Sequence, residues 1–290
     1  MFGANEKVGG AHFKNMPPST LKLTSMFYTL QGEGPLGGRC AFFLRFTKCN
    51  LACSFCDTFF DQGDVMTFEQ IEAAIHSKIQ EHWHQRGLPV PKWMIRTAGV
   101  YRCALVITGG EPMLQPYLPE FLERQVGRFT TVQIESNGTI SRSLHEDVLL
   151  VCSPKCAEKG GRPVKYLQPS SKMLERANCL KFVMSADPDS PYSQVPDWAH
   201  QWAHETGKPV YVSPMNVYND MPHKAKMLRA NRQGQIPMEE RSTVDEVISF
   251  WEPGLLDMKA NQRNHEYAAR YCMDHGFIFN LQAHLYASLA

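Results

Sequence analysis

Three cysteines, Cys49, Cys53 and Cys56, stand in the stretch CNLACSFCDT with three and then two residues between them. Thiolates at this spacing are ligands for zinc or for an iron–sulfur centre. Structural zinc takes four protein ligands and an iron–sulfur cube normally takes four cysteines, yet no fourth cysteine follows at ligand distance. A purely structural zinc or electron-transfer module would want that fourth ligand. A three-thiol set instead leaves one metal position open, as catalytic sites do for the molecule that binds and reacts there.

The cysteines follow the apolar run AFFLRF (41–46), and other short apolar runs also lead into polar or glycine-rich segments. ALVIT (104–108) leads into GGEP, TVQI (131–134) into ESNGT, and VLLVC (148–152) into SPK. PVYVS (209–213) leads into PMN, and FIFNL (277–281) into QAH, while LKFVM (180–184) completes the set. Each run has the length and the β-branched or aromatic content of a buried strand. Each loop alone is explained by the need for turn residues after a strand. Together, in a parallel α/β fold, they converge on one mouth at the carboxyl ends of the strands.

Helical patterns separate many of these strands. Thr67 and Gln70 form a capping box ahead of Phe68, Ile71, Ile75 and Ile79, which share one face, and Gly87 ends the pattern. Further helices are expected from a Ser242 cap and from Asn264 to a Gly276 stop. Strands alternating with helices imply right-handed crossovers and a mostly parallel sheet, with seven or so strands suiting an incomplete barrel. One domain is expected over 25–290, behind a loose N-terminal arm over 1–24. Long segments lie near 61–103 and 217–262, the second with a polar excursion at 226–242.

The 290 residues are 43% hydrophobic and 20% charged with a net charge of +1, which suits a globular chain and gives no basic stripe for nucleic acid. No apolar run approaches the roughly 18 residues of a membrane span, and the N-terminus lacks the apolar core of a signal peptide. Nine cysteines, an odd number, argue against a disulfide framework and for a reducing, cytoplasmic setting. The six outside the cluster, at 40, 103, 152, 156, 179 and 272, are expected to be small buried hydrophobes.

The cysteine spacing together with GGEP resembles the radical S-adenosylmethionine (SAM) enzymes. The longer run FYTLQGEGPLGGRCAFFLRFTKCNLACSFCDT (27–58), followed in order by TGGEP, ESNGT, SPK, KFV, SPMN and LQAH, is similar to 7-carboxy-7-deazaguanine synthases. That resemblance implies an α/β fold, a modified partial (β/α) barrel, with a 4Fe-4S cluster, SAM and Mg²⁺ as cofactors. It implies rearrangement of 6-carboxy-5,6,7,8-tetrahydropterin to 7-carboxy-7-deazaguanine with loss of ammonia, for queuosine-type tRNA or for modified DNA. It also implies a homodimer served by an electron donor such as flavodoxin. A different radical SAM reaction, such as hydrogen abstraction from a partner protein, would share the cysteines and GGEP but has no need of QGEG and CDT.

The resemblance assigns roles by position. Cys49, Cys53 and Cys56 match the cluster ligands, and Thr58 the Mg²⁺ ligand. Phe55, Cys56, Asp57, Gly110, Ser153, Pro154, Lys155, Ser213, Pro214, Met215 and Asn216 match SAM contacts. Leu30, Gln31, Gly32, Arg45 and Thr108 match substrate contacts. Glu33, Glu111, Ser136 and His284 are weaker site candidates, Glu111 for SAM or ribose and His284 for substrate. The types are apt. Arg45 offers a planar fork of donors to the substrate carboxylate, and Gln31 suits the donor–acceptor edge of a pterin. Three positions depart from the family's usual pattern: Lys48 where glycine is common, Ser136 where threonine is usual, and Leu285 where lysine is common.

Overall fold

The computed structural model describes residues 5–56, 58, 60–97, 99–219, 249–251 and 253–289. In chain order the strands are β1 (Thr20–Leu30), β2 (Cys40–Phe46), β3 (Asp64–Thr67), β4 (Ile95–Thr97), β5 (Val100–Tyr101), β6 (Ala104–Gly109), β7 (Thr131–Ser136) and β8 (Val148–Cys152). They continue as β9 (Cys156–Lys159), β10 (Arg162–Tyr166), β11 (Cys179–Met184), β12 (Val210–Pro214) and β13 (Ile278–Phe279). The helices are α1 (Phe68–His84), α2 (Leu118–Gln125), α3 (Ser171–Arg176), α4 (Asp197–Thr206), α5 (Met258–His275) and α6 (Ala283–Tyr286).

Nine strands form one sheet in the order β13-β12-β11-β8-β7-β6-β2-β1-β3. From β2 to β13 every neighbouring pair is parallel, so each of the seven apolar runs is a strand of one continuous parallel array. Their hydrophobic character follows from burial: Phe42, Leu44, Leu105, Ile107, Ile134, Leu150, Leu180, Phe182 and Val212 are wholly shielded from solvent. FIFNL is the weakest of the seven. Only Ile278 and Phe279 pair, at a sheet edge, and both are exposed.

Two antiparallel strands close the other side. β1 pairs with β2 and then with β3. β1 starts at Thr20, inside the stretch expected to be an arm, and Leu21 and Leu23 are fully buried. The alternation that would reveal β1 is blurred because Thr24, Ser25, Met26 and Phe27 are all buried, so both faces of the strand are covered. The 61–103 segment holds β3, α1 and the β4–β5 hairpin.

Helix α1 has the expected capping box, with the Thr67 hydroxyl accepting from Gln70 N–H and the Gln70 amide oxygen accepting from Thr67 N–H. Its Phe68, Ile71, Ile75 and Ile79 stripe lies in the main core. Helix α5 starts at Met258, earlier than Asn264, because Asp257 caps it by accepting from Ala260 N–H. It ends as expected at Gly276 in the left-handed conformation. The helix expected from Ser242 and the 226–242 excursion lie outside the described residues. Cys103, Cys152, Cys156, Cys179 and Cys272 are buried as expected, but Cys40, at the open start of β2, is exposed. Among the described residues no helix is long and apolar enough to cross a membrane.

Candidate active site

The carboxyl ends of β2, β6, β7, β8, β11 and β12 surround a cavity of about 260 Å³. Cys49, Cys53 and Cys56 line it, with Phe55, Thr58, Leu30, Gln31, Glu33, Arg45, Thr108, Gly110, Ser136, Ser153, Lys155, Ser213, Pro214, Met215, Asn216 and His284. Segments spread over more than 250 positions of chain thus meet at one mouth, as parallel topology requires. Three expected site residues do not face it. Pro154, Gly32 and Glu111 are absent from the cavity wall, each displaced by a neighbour that faces inward, and Asp57 lies outside the described residues.

The cysteine loop leaves β2 through Lys48, a non-glycine residue at φ 66°. The GGEP turn is built against that exit. Gly110 N–H donates to Phe46 O at 2.9 Å and Glu111 N–H to Lys48 O at 2.8 Å. A Cβ on Gly110 would sit 1.8 Å from Lys48 O, so only glycine lets this turn press on the root of the loop. Gly32 has a comparable place elsewhere: a Cβ there would meet the His284 ring at 2.1 Å, and its carbonyl accepts from Ala283 N–H at 3.0 Å.

Glu111 ties two loops together beneath the cavity. It is fully buried, and accepts from Met113 N–H at 3.0 Å, the Ser136 hydroxyl at 2.8 Å and Asn137 N–H at 2.7 Å. Burial pushes its carboxyl above the ordinary range, against the pull of these donors. These contacts join the GGEP turn to the end of β7, and the Ser136 hydroxyl that takes part is one that threonine would also carry. Lys155 caps its own loop, donating to Ser153 O at 2.7 Å and to the Ser153 hydroxyl at 2.6 Å, and burial lowers its pKa.

A charged group lines the same cavity. Lys181 from β11 donates to Glu135 at 2.6 Å and to Glu33 in a shorter contact. Glu135 also accepts from Gln31 at 2.9 Å and from Gln133 at 3.1 Å. Burial pushes Glu33 up, but the Lys181 charge and hydrogen bond outweigh it and hold the carboxyl below its usual value. The Arg45 guanidinium lies 5.0 Å over the Phe27 ring, which stacks on Phe43, and its strand partner is Thr108. Lys181, Gln282 and Asn137 were not among the expected site residues. Lys181 falls within KFV, whose short motif carries no sign of partners on other strands. Gln282 accepts from Asn216, and Asn264 of α5 donates to Met215 O at 2.7 Å, so both brace the SPMN turn.

The three thiols suit a cluster held at three corners. Burial pushes Cys49 up to about 12 and raises Cys53, so in the chain alone both are protonated at neutral pH, and bound metal charge is what makes them thiolates. Donors already face the sulfurs: Leu51 N–H at 3.4 Å and Asn137 Nδ2 at 3.7 Å from Cys49, and Asn5 Nδ2 at 3.9 Å from Cys56. Among the described residues no three His, Cys, Asp or Glu side chains are grouped to hold a single metal ion.

No protein-family model matches the sequence. The chain is 33% identical over 216 residues to a 7-carboxy-7-deazaguanine synthase of Rickettsia prowazekii, covering 74% of this chain and 81% of that protein. A protein of the same name from Rhodospirillum rubrum is 31% identical over 206 residues, 67% of this chain and 75% of that protein. The crystal structure of QueE from Escherichia coli matches at a TM-score of 0.52 and 19% identity, over 96% of this chain and all of that one, a likeness of fold.

Proposed function

The chain belongs to the 7-carboxy-7-deazaguanine synthase family of radical SAM lyases, and from that premise we propose how its residues divide the work. The reaction is the rearrangement of 6-carboxy-5,6,7,8-tetrahydropterin to 7-carboxy-7-deazaguanine with loss of ammonia. The observation that carries this reading is the single cavity that collects the three cysteines, the GGEP turn, Arg45, Gln31 and Thr108. When bound, the 4Fe-4S cluster and SAM supply the radical chemistry that takes hydrogen from the substrate.

Cys49, Cys53 and Cys56 would hold the cluster, with SAM bound beside it. Gly110 lets SAM approach the backbone at the end of β6, and the Ser153–Lys155 and Ser213–Asn216 loops flank it, with Phe55 beside the cluster. Arg45 pairs with the substrate carboxylate through a charge-assisted hydrogen bond. Gln31 and Thr108 orient the ring, and the Glu33–Lys181–Glu135 group fixes Gln31 and the polar wall behind it. Thr58 would offer its hydroxyl to Mg²⁺, an ion that favours oxygen ligands. The same reading includes a homodimer in the cytoplasm, reduced by a donor such as flavodoxin. Its product feeds deazapurine synthesis for tRNA or DNA, with no direct nucleic-acid contact by this chain.

The test is anaerobic reconstitution with iron and sulfide, followed by incubation with SAM, a reductant and the carboxytetrahydropterin. Mass detection should find 7-carboxy-7-deazaguanine in excess of the SAM consumed. Absence of the product, or one SAM spent for each product, rejects the reading.

A further inference from the structure

Residues 5–8 cross back over the cysteine loop and bind it at both ends. At the start of the loop, Val8 N–H donates to Cys49 O at 2.9 Å, and Lys7 forms a parallel bridge with Cys49. At its end, the nearly buried Asn5 uses both sides of its amide. It donates to Thr58 O at 2.7 Å and accepts from Phe60 N–H at 3.0 Å, while Nδ2 also lies 3.9 Å from Cys56 Sγ. Glu6 completes the closure. Its N–H donates to Asp61 at 2.7 Å and its carboxylate meets the Lys48 ammonium at 3.1 Å. Phe13, next along, is buried and anchors the segment.

The loop needs such a clasp. Residues 51–53 have no regular structure, and ordering each loop residue costs about 1–2 kcal/mol of backbone entropy. Bonds supplied by a segment some fifty positions away in sequence hold the loop's two ends before any metal arrives.

We propose that residues 5–8 are a working part of the cluster site, with Asn5 the positioning residue that sets Cys56 and Thr58 at the cavity. This rests on the cluster assignment above. An amide N–H aimed at a cluster thiolate also belongs to the group of interactions that set the reduction potential. Lys48 belongs to the same device: its ammonium receives Glu6 and Asp61 where a glycine would have nothing to offer.

The test uses the full chain with Asn5→Ala, Asn5→Asp and the exposed Glu6→Ala. In the metal-free protein, amide hydrogen exchange over 49–61 should rise about tenfold in Asn5→Ala and less in Glu6→Ala, with exchange in β6 and β7 unchanged. After reconstitution, Asn5→Ala should lose iron to a chelator several-fold faster than the parent. Its cluster should show a shifted midpoint potential. Asn5→Asp keeps the acceptor for Phe60 N–H but not the donor to Thr58 O and Cys56, so it should restore part of the exchange protection while the potential stays displaced. Parent-like exchange, iron retention and potential in Asn5→Ala overturn the proposal while leaving the cluster assignment intact. A parent that assembles no cluster overturns both. If Asn5→Ala does not fold, a Glu6→Ala chain with parent-like loop exchange overturns it.

Discussion

Replacing Lys181 with methionine keeps the length and volume of the side chain and removes one charge from between two carboxylates. The Lys181, Glu33 and Glu135 side chains are 8%, 15% and 16% exposed, so solvent cannot take over the lost role. Glu135 keeps its donors from Gln31 and Gln133. Glu33 loses the cation that holds its carboxyl down, and burial then acts on it with less opposition. Removing one member of a buried pair typically costs about 3–5 kcal/mol. Because Glu33 can take up a proton, the low end applies, about 3 kcal/mol near pH 8.

The pH dependence has a definite sign. In the parent, the folded-state pKa of Glu33 lies below the unfolded one. Its contribution is therefore fully present above the unfolded carboxylate pKa of about 4.3 and is lost as pH falls through the folded value. In Lys181→Met the folded value rises above the unfolded one, so Glu33 becomes a penalty that grows as pH climbs from about 4.3 through the raised value. The deficit should be smaller near pH 4.5, where that penalty is gone and only the lost pairing with Lys181 remains. Anaerobic urea unfolding of metal-free parent and variant at both pH values measures this, and adding Glu33→Gln to Lys181→Met should recover stability near pH 8. A deficit equal at the two pH values, or no recovery in the double variant, removes Glu33 from the explanation.

Gly110→Ala places a Cβ 1.8 Å from Lys48 O; it should disturb the loop root and abolish cluster retention by iron assay while far-UV circular dichroism stays parent-like. On the proposed role of Arg45, Arg45→Ala would remove a charge-assisted bond worth about 1.5–3 kcal/mol, so substrate affinity by calorimetry should fall roughly ten- to a hundred-fold with SAM affinity unchanged. Thr58→Val keeps the shape and deletes the hydroxyl, and should blunt the response of turnover to added Mg²⁺. Glu111→Gln turns an amide N–H₂ toward donors that now meet a carboxylate oxygen, and should cost about 1–3 kcal/mol in denaturant unfolding.

What could be read from the sequence divides along a physical line. The cysteine spacing, the seven apolar runs and the Thr67–Gln70 box are local signals, in which partners lie within a few residues or within one strand. The box and six of the runs appear in the structure as expected, whereas FIFNL yields only the exposed edge pair Ile278–Phe279. What was missed or misread has other causes. Lys181 meets Glu135 and Glu33 across 46 and 148 positions, and Asn5 meets Thr58 across 53, so no short window contains both members of either contact. β1 was hidden because both of its faces are covered, which erases the alternation that marks a half-exposed strand. Cys40 was misjudged because burial depends on where a strand begins, and the open start of β2 leaves its first side chain in solvent. The residues that carry chemistry by their own type were therefore visible, whereas those that hold them in place were not. A glutamate such as Glu111 looks like a ligand in its motif, and only its three donors from Met113, Ser136 and Asn137 reveal it as a tie between loops. Lys48 makes the same point from the other side. At φ 66° it occupies a conformation that favours glycine, and its two acidic partners on separate segments supply the reason a lysine holds that place.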